Sequence, residues 1–350
     1  MAGGAGVRLW PLSRKDRPKQ VLKLFSGRGL LRESFERIAT LLPPEQIHVI
    51  TNDSHLPFVA EDLPELPGEN LIGEPIGRDT ANAVALATAV VRQGDPEAVV
   101  GIFTADHIIT PVETFRESLE RAYKVAEKQA EVLVTMGIKP SRPDVNYGYI
   151  WRGDRLGEGT YTVRQFKEKP DAETAEEYFS SGEYYWNSGM FVWRSSTILG
   201  ELKKNLPSSH DAACEIASAW ATEEGRRKLE RLYPDLEKIS IDYAVMEHAA
   251  HVQVVELDCR WVDVGSWPAL SSVIEADSDG NVSACEDVIH LDSHNTIVAS
   301  EEKHLIGTIG VDDIVVIHSP DATLVCRKDD TTRIKELVEA VRAKYGEKYL

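Results

Sequence analysis

Two aspartates, two cations near the start and a cluster of glycines are the residues of this chain whose types and placing suit phosphate chemistry. The sequence opens Gly3-Gly4-Ala5-Gly6-Val7-Arg8-Leu9, followed by Pro11-Leu12-Ser13 and Pro18-Lys19. Glycines let a backbone approach an anion closely and turn several N–H groups toward it. Arg8 offers a planar fork for two phosphate oxygens, and Lys19 a mobile point charge. The string is neither a Walker loop, which needs GK[ST], nor a Rossmann GxGxxG. A bare GGxG reads more readily as a tight turn. Asp106 (in IFTADH) and Asp263 (in WVDVG) each follow an apolar run. Hard oxygen ligands suit Mg²⁺, which takes one or two carboxylates and completes its octahedron with phosphate oxygens and water. Taken singly, either aspartate reads as a helix cap or turn residue. His107 reads as a group that packs or hydrogen-bonds locally, because a phosphate monoester is already a nucleophile near neutral pH.

Three further strings combine glycine, amide and charge. They are Tyr147-Gly148-Tyr149, Phe166-Lys167-Glu168-Lys169-Pro170 and Trp186-Asn187-Ser188-Gly189-Met190-Phe191. Read alone, the second is a solvated charged turn ended by its proline, and Asn187 in the third is a turn former. A fourth, Gly73-Glu74-Pro75-Ile76-Gly77-Arg78-Asp79-Thr80-Ala81, precedes a helical pattern that Asp79 is placed to cap.

The elements that must position these residues alternate through the first two-thirds of the 350 residues. Gln46–Thr51, Ala98–Thr104 and Val132–Ile138 are short apolar runs of buried-strand type. Leu30–Leu42, Thr80–Gln93 and Val112–Gln129 carry helical periodicity. Such βαβ alternation predicts an α/β fold with a doubly wound, mostly parallel sheet, whose ligands bind beyond the carboxyl ends of the strands. Shorter strands at Tyr147–Trp151, Tyr161–Phe166 and Met190–Trp193 predict an antiparallel, lid-like portion. Helices dominate Ser195–Ala250, and strands return at Val252–Leu257 and near Trp261. A polar turn cluster at Asp277–Asn281 marks a boundary, giving expected domains of 1–277 and 278–350. Beyond it, β-runs at Val288–Leu291, Thr296–Ala299, Leu305–Ile309, Ile314–Ile317 and Thr323–Cys326 predict a small all-β or solenoid-like unit. An amphipathic helix at about Thr332–Tyr345 ends the chain.

The net charge of −18 argues against a nucleic-acid or anionic-membrane partner, and no apolar run is long enough to span a bilayer. The charge is uneven. Residues 1–28 hold seven cations against Asp16 alone, a net of +6 that leaves −24 for the remainder. A basic island of that kind suggests a local anion site, or simply a solvated loop. The four cysteines lie far apart with no CxxC pair, which fits reduced thiols in a cytoplasmic protein.

Taken whole, GGxGxRLxPLS with PK beyond it resembles the signature of the sugar-1-phosphate nucleotidyltransferases. RLWPLSR…DRPKQ is similar to that of the bacterial mannose-1-phosphate guanylyltransferases in particular. The resemblance runs through about the first 275 residues and continues more weakly into the β-rich tail. It implies transfer of the guanylyl group of GTP to mannose 1-phosphate, releasing pyrophosphate, with Mg²⁺ as cofactor. Gly3, Gly4, Gly6, Arg8 and Lys19 would hold the triphosphate, Asp106 and Asp263 the metal. Glu168 would bind sugar hydroxyls, Lys169 the sugar's phosphate, and Gly148 and Asn187 would line the sugar pocket. Arg78 and Asp79 would lie near the base, where Asp79 either accepts from guanine's N1–H and N2–H₂ or caps the helix. The family carries asparagine at that place. Ala5 and Val7 replace its usual small polar residues. The tail would be a left-handed β-helix-like dimerisation region, making a homodimer. No room is left for the isomerase domain of longer relatives. The family also has an apolar strand ahead of the glycines. Here the chain opens at Met1-Ala2, so that strand is expected either to lie upstream or to be missing from the sheet. Two alternatives stay open. One is another sugar (glucose or a heptose) or another base (UTP or dTTP). The other is a catalytically silent regulatory subunit, which the retained Arg8, Lys19, Asp106, Lys169 and Asp263 count against.

Overall fold

The computed structural model describes all residues except Ala5, Phe25 and Ser26. In chain order the first half comprises α1 (Leu30–Ala39), β1 (Val49–Asn52), α2 (Leu56–Asp62), β2 (Leu71–Glu74), α3 (Asp79–Gly94), β3 (Val99–Ile102), β4 (His107–Thr110), α4 (Val112–Lys128) and β5 (Leu133–Ile138). Helix α4 is amphipathic and buries Phe115, Ser118, Leu119, Ala122 and Ala126, the one-face spacing of a surface helix. In α3, by contrast, Ala81 through Val90 are all buried. An all-round apolar helix belongs between layers, and α3 lies under the helices that follow the sheet.

The chain continues with β6 (Tyr149–Gly157), β7 (Thr160–Lys167), α5 (Ala172–Ser181), β8 (Tyr184–Arg194), α6 (Ser195–Asn205), α7 (Pro207–Ala217), α8 (Glu223–Leu232), β9 (Val252–Glu256) and β10 (Arg260–Asp263). The large sheet has the order β3-β8-β5-β9-β7-β6. The α/β layering is as expected, but this sheet is mixed: β5–β9 is its parallel pair, and β8 lies antiparallel to both β3 and β5. The cause is β8, an eleven-residue strand that inserts between two others instead of closing a short lid. Its central Gly189 has φ 68°, and the β5–β8 register shifts between Thr135 and Gly137. The Trp186–Phe191 string is thus a bulged mid-strand segment, and bulges re-aim side chains at sites.

Strands β1 and β2 form a separate parallel pair. Between β1 and β3, among the described residues, Met1 and Ala2 reach across. Ala2 N donates to Ile50 O at 2.8 Å, the Met1 amine to Phe103 O at 2.6 Å, and Ala105 N to Met1 O at 3.0 Å. Behind them lies a cavity of about 550 Å³, lined by apolar groups including Leu31, Phe35, Ile50, Ala87, Val100 and Ile102.

The last part holds β11 (Val282–Ala284), β12 (Val288–Leu291), β13 (Ile297–Ser300), β14 (Ile306–Ile309), β15 (Ile314–Ser319), β16 (Ala322–Arg327) and α9 (Ile334–Tyr345). Here β11, β13 and β15 stack in parallel, as do β12 and β14, in the manner of a β-helix. Asp292, Asn295 and Asp313 turn its corners at φ 49°, 51° and 54°, conformations that short polar side chains tolerate. This unit shares a core with the opening loop: Leu9, Trp10, Leu12 and Leu22 pack with Trp267, Ile297, Val315 and Ile334. Trp267 is fully buried and donates its indole N–H to Trp10 O at 3.2 Å.

Candidate active site

The opening loop is shaped by glycine where contact demands it. Gly6 has φ 55°, and a Cβ there would lie 2.6 Å from Ser13 Oγ and 2.9 Å from Lys19 Cβ. Only a residue without a side chain lets the loop close on Lys19. Gly4, at φ 105°, faces open space. At Gly3, a Cβ would stand 3.9 Å from the Glu74 carboxylate. Ala5 lies outside the described residues.

Of the basic island, Arg8 and Lys19 turn to the crevice while Arg14, Arg17 and Arg28 are used elsewhere. Arg14 pairs with Asp321 at 2.5 Å, Arg17 with Glu301, and Arg28 with Glu36 at 2.5 Å. Arg14 and Arg17 therefore fasten the loop to the β-helix-like unit, so the island is only in part an anion site.

The two aspartates meet through a short ladder. Strands β4 and β10 pair antiparallel with Asp263 opposite His107, which places Asp263 next to Asp106. Ligand atoms of Asp106, His107 and Asp263 all lie within 4.8 Å of one another. Val264 N donates to Asp106 O at 3.2 Å and locks this approach. Lys19 Nζ sits 2.5 Å from Asp106 Oδ2. Burial pushes the Asp106 carboxyl up, but Lys19, His107 and the hydrogen bonds it accepts together outweigh burial, and the net displacement is downward, toward the charged form. A Cβ on Gly265 would stand 3.5 Å from both Arg8 Nη2 and Asp263 Oδ1, so the Arg8 guanidinium arrives beside Asp263.

His107 is a local packing group. The Trp261 indole N–H donates to its Nδ1 at 3.1 Å, which puts the ring proton on Nε2, the nitrogen 3.7 Å from Asp106. Burial also pushes the imidazole down, so it stays neutral. A protonated Nε2 has no lone pair for a metal, which leaves the two aspartates as the hard-oxygen set.

The second cluster assembles around Gly148. Asn187 N donates to Gly148 O at 2.8 Å. A Cβ on Gly148 would lie 2.3 Å from Glu168 Oε2, so glycine is what lets that carboxylate cover the backbone. Lys169 adopts φ 45°, a cost tolerated mainly at functional sites, and its Nζ pairs with Glu168 Oε1 at 2.6 Å. Asp171 caps α5 through Thr174 N at 2.8 Å and sets where the chain leaves Lys169. Gly148, Glu168, Lys169 and Asn187 are thus one group.

Asp79 stands at φ 67° with its carboxylate accepting from Thr80 N at 2.8 Å, a bond at the start of α3. The carboxylate nearer the glycines is Glu74, at the end of β2. It accepts from Tyr233 Oη at 2.6 Å, and burial raises its pKa. Among the described residues, the buried Arg78 Nε has no hydrogen-bond partner.

Three residues of these clusters escaped the sequence reading: Glu74, Asp242 and Glu247. Asp242 accepts from Asn187 Nδ2 at 2.9 Å, and Glu247 Oε1 from Glu168 N at 3.3 Å. The available signal was an acid inside the otherwise apolar Ile241–Met246 run.

Comparison with known proteins gives the family. A nucleotidyl transferase family profile matches residues 1–280, and a profile for the MannoseP isomerase/GMP-like beta-helix domain matches residues 286–341. A mannose-1-phosphate guanylyltransferase of Klebsiella pneumoniae is 40% identical over 359 residues, covering 100% of this chain and 74% of the relative. One from an Escherichia coli strain is 41% identical, covering 98% of this chain and 73% of the relative. A solved structure from Thermus thermophilus, described as a mannose-1-phosphate geranyltransferase, superposes with a TM-score of 0.89 at 36% identity, covering 98% of both chains. With the matched profile spanning most of its length and such relatives, the chain belongs to the nucleotidyl transferase family, in the branch of the mannose-1-phosphate guanylyltransferases.

Proposed function

We propose that this protein transfers the guanylyl group of GTP to mannose 1-phosphate, giving GDP-mannose and pyrophosphate. The observation that carries the reading is the meeting of Arg8, Lys19, Asp106 and Asp263 in one crevice. In the reaction, an oxygen of the sugar phosphate bonds to the α-phosphorus of GTP while the bond to the β-phosphate oxygen breaks. Both reactants are polyanions, so their approach must be neutralised and aligned, and charge on the leaving pyrophosphate must be stabilised.

Arg8 and Lys19 supply cations for the triphosphate, with Lys19 leaving Asp106 to do so. Gly3, Gly4 and Gly6 allow close backbone approach. Asp106 and Asp263 are the residues that would hold Mg²⁺, and their oxygens converge as a one- or two-carboxylate site requires. When bound, the ion would neutralise phosphate charge and link the triphosphate to the protein. Lys169 orients the attacking phosphate, while Glu168, Asn187 and Gly148 read the sugar. Arg78 and Asp79 stand on the base side, and the buried Glu74 is a further acceptor there.

The chain is further proposed to act as a homodimer in the cytoplasm. Ile289, Leu291 and Ile309, on the outer face of β12 and β14, are 61%, 53% and 72% exposed, an apolar surface suited to a second copy. The four free thiols fit a reducing compartment.

Pyrophosphate release measured over a grid of four nucleoside triphosphates and several sugar phosphates tests the assignment. Turnover greatest with GTP and mannose 1-phosphate is the expected result. Preference for UTP or dTTP, or for glucose or heptose phosphates, would reassign the substrates. Turnover with no pair would favour a silent subunit.

A further inference from the structure

The segment Asp242–Met246 forms a π-helical turn, a rare conformation found frequently at functional sites. It lies against the Gly148–Glu168–Asn187 cluster and touches it twice. Asp242 Oδ1 accepts from Asn187 Nδ2 at 2.9 Å, and Glu247, just past the turn, accepts from Glu168 N at 3.3 Å. Two acceptors of the cluster are already engaged, while Glu168 Oε2 lies over Gly148. Asn187 Oδ1 takes the Gly189 N–H at 3.0 Å, and Glu168 Oε1 takes Lys169 Nζ at 2.6 Å.

A hexose ring presents mainly hydroxyls, each a donor in need of an acceptor. Asp242 keeps part of its surface accessible. Among the described residues its hydrogen-bond partners are the Asn187 amide and its own backbone N–H. We infer that Asp242 is a specificity-determining residue of the sugar pocket, accepting from a hexose hydroxyl while holding the Asn187 amide in one orientation. This rests on the sugar 1-phosphate reading above. Its surroundings agree: burial, then the nearby Glu168 charge, push the carboxyl up to about 6, against smaller opposing effects of Asn187 and Lys169. A bond from a sugar hydroxyl would help offset that unfavourable setting. An acid placed only to hold one amide has no such need, since a neutral carbonyl would serve.

The test is Asp242→Asn in the full chain, which keeps size and a carbonyl for Asn187. Calorimetric titration with mannose 1-phosphate is run beside steady-state kinetics with mannose 1-phosphate and with its 2-epimer, glucose 1-phosphate. The variant is expected to weaken mannose 1-phosphate binding about 10-fold or more and to narrow the preference between epimers. The KM for GTP and the thermal midpoint should stay put. Unchanged sugar affinity and epimer ratio would overturn the role of Asp242 alone. Failure of the unaltered protein to bind any sugar phosphate would overturn both readings. Asp242→Ser, with an acceptor too short to span the gap, should reproduce the loss. If Asp242→Asn does not fold, that variant decides.

Discussion

Asp263 stands opposite His107 in the antiparallel register of β10 and β4, so its carboxylate and that of Asp106 converge within 4.8 Å. A ladder of only four residues a side thus closes a pair separated by most of the catalytic fold. Lys19, 2.5 Å from Asp106, holds the same point with a cation, so one of the two carboxylates is paired before any nucleotide arrives.

Neutralising either carboxylate should remove an anchor of the proposed Mg²⁺. Asp106→Asn and Asp263→Asn are each expected to lower kcat/KM on the order of 10²–10³-fold. The double variant should lose little more, because residues acting as one unit are not additive. Pyrophosphate release across a magnesium titration reads both outcomes. Full activity of Asp263→Asn would show that the pair does not act together.

The seven cations of residues 1–28 separate by partner. Arg8→Gln should cost about 10²-fold in kcat/KM, since Arg8 brings its guanidinium to Gly265 on the same side as the Asp263 carboxylate. Arg17→Gln, which loses only a pairing with Glu301, should stay within about 3-fold. Equal losses in the two variants would mean that the whole island acts as a diffuse anion field.

At Gly148 an added methyl would meet Glu168 Oε2 at 2.3 Å. Gly148→Ala is therefore expected to raise KM for the sugar phosphate about 10-fold or more by displacing that carboxylate, with KM for GTP unchanged. Initial rates at varied concentrations of each substrate separate the two effects.

Burial lowers the Met1 amine from 8.0 to about 6. Below pH 6 the folded protein must carry this charge at full cost. As pH rises from 6 to 8 the unfolded chain still holds the proton that the folded one has released, so stability increases with pH. A displacement of this size is worth up to about 3 kcal/mol. The half-buried His48 and the buried His55 are also lowered by burial and add slope of the same sign. The measurement is therefore a difference between chains with and without residues ahead of Met1. Any extension should flatten the amine's part of the slope. Only an apolar, β-forming one, able to pair in the opening between β1 and β3, should also raise the thermal midpoint by a few degrees. Equal midpoints with apolar and Gly-Ser extensions would argue that the cavity takes no strand.

By itself the sequence determined what depends on near neighbours. Helical periodicity located α3 and α4 to within a few residues, alternation and spacing located the β-helix-like strands, and glycine with proline marked the loops that carry Gly6, Gly148 and Lys169. The motif strings then named most of the residues of both clusters. Tertiary structure alone decided which distant segments pair. It set the insertion of β8 between β3 and β5, the Asp263–His107 register, the binding of Arg14 and Arg17 to the C-terminal unit, and the contact of Asp242 with Asn187. The reason is physical: a local pattern states which face of a segment wants burial, whereas the partner on that face is chosen by competition among all segments for pairing and packing.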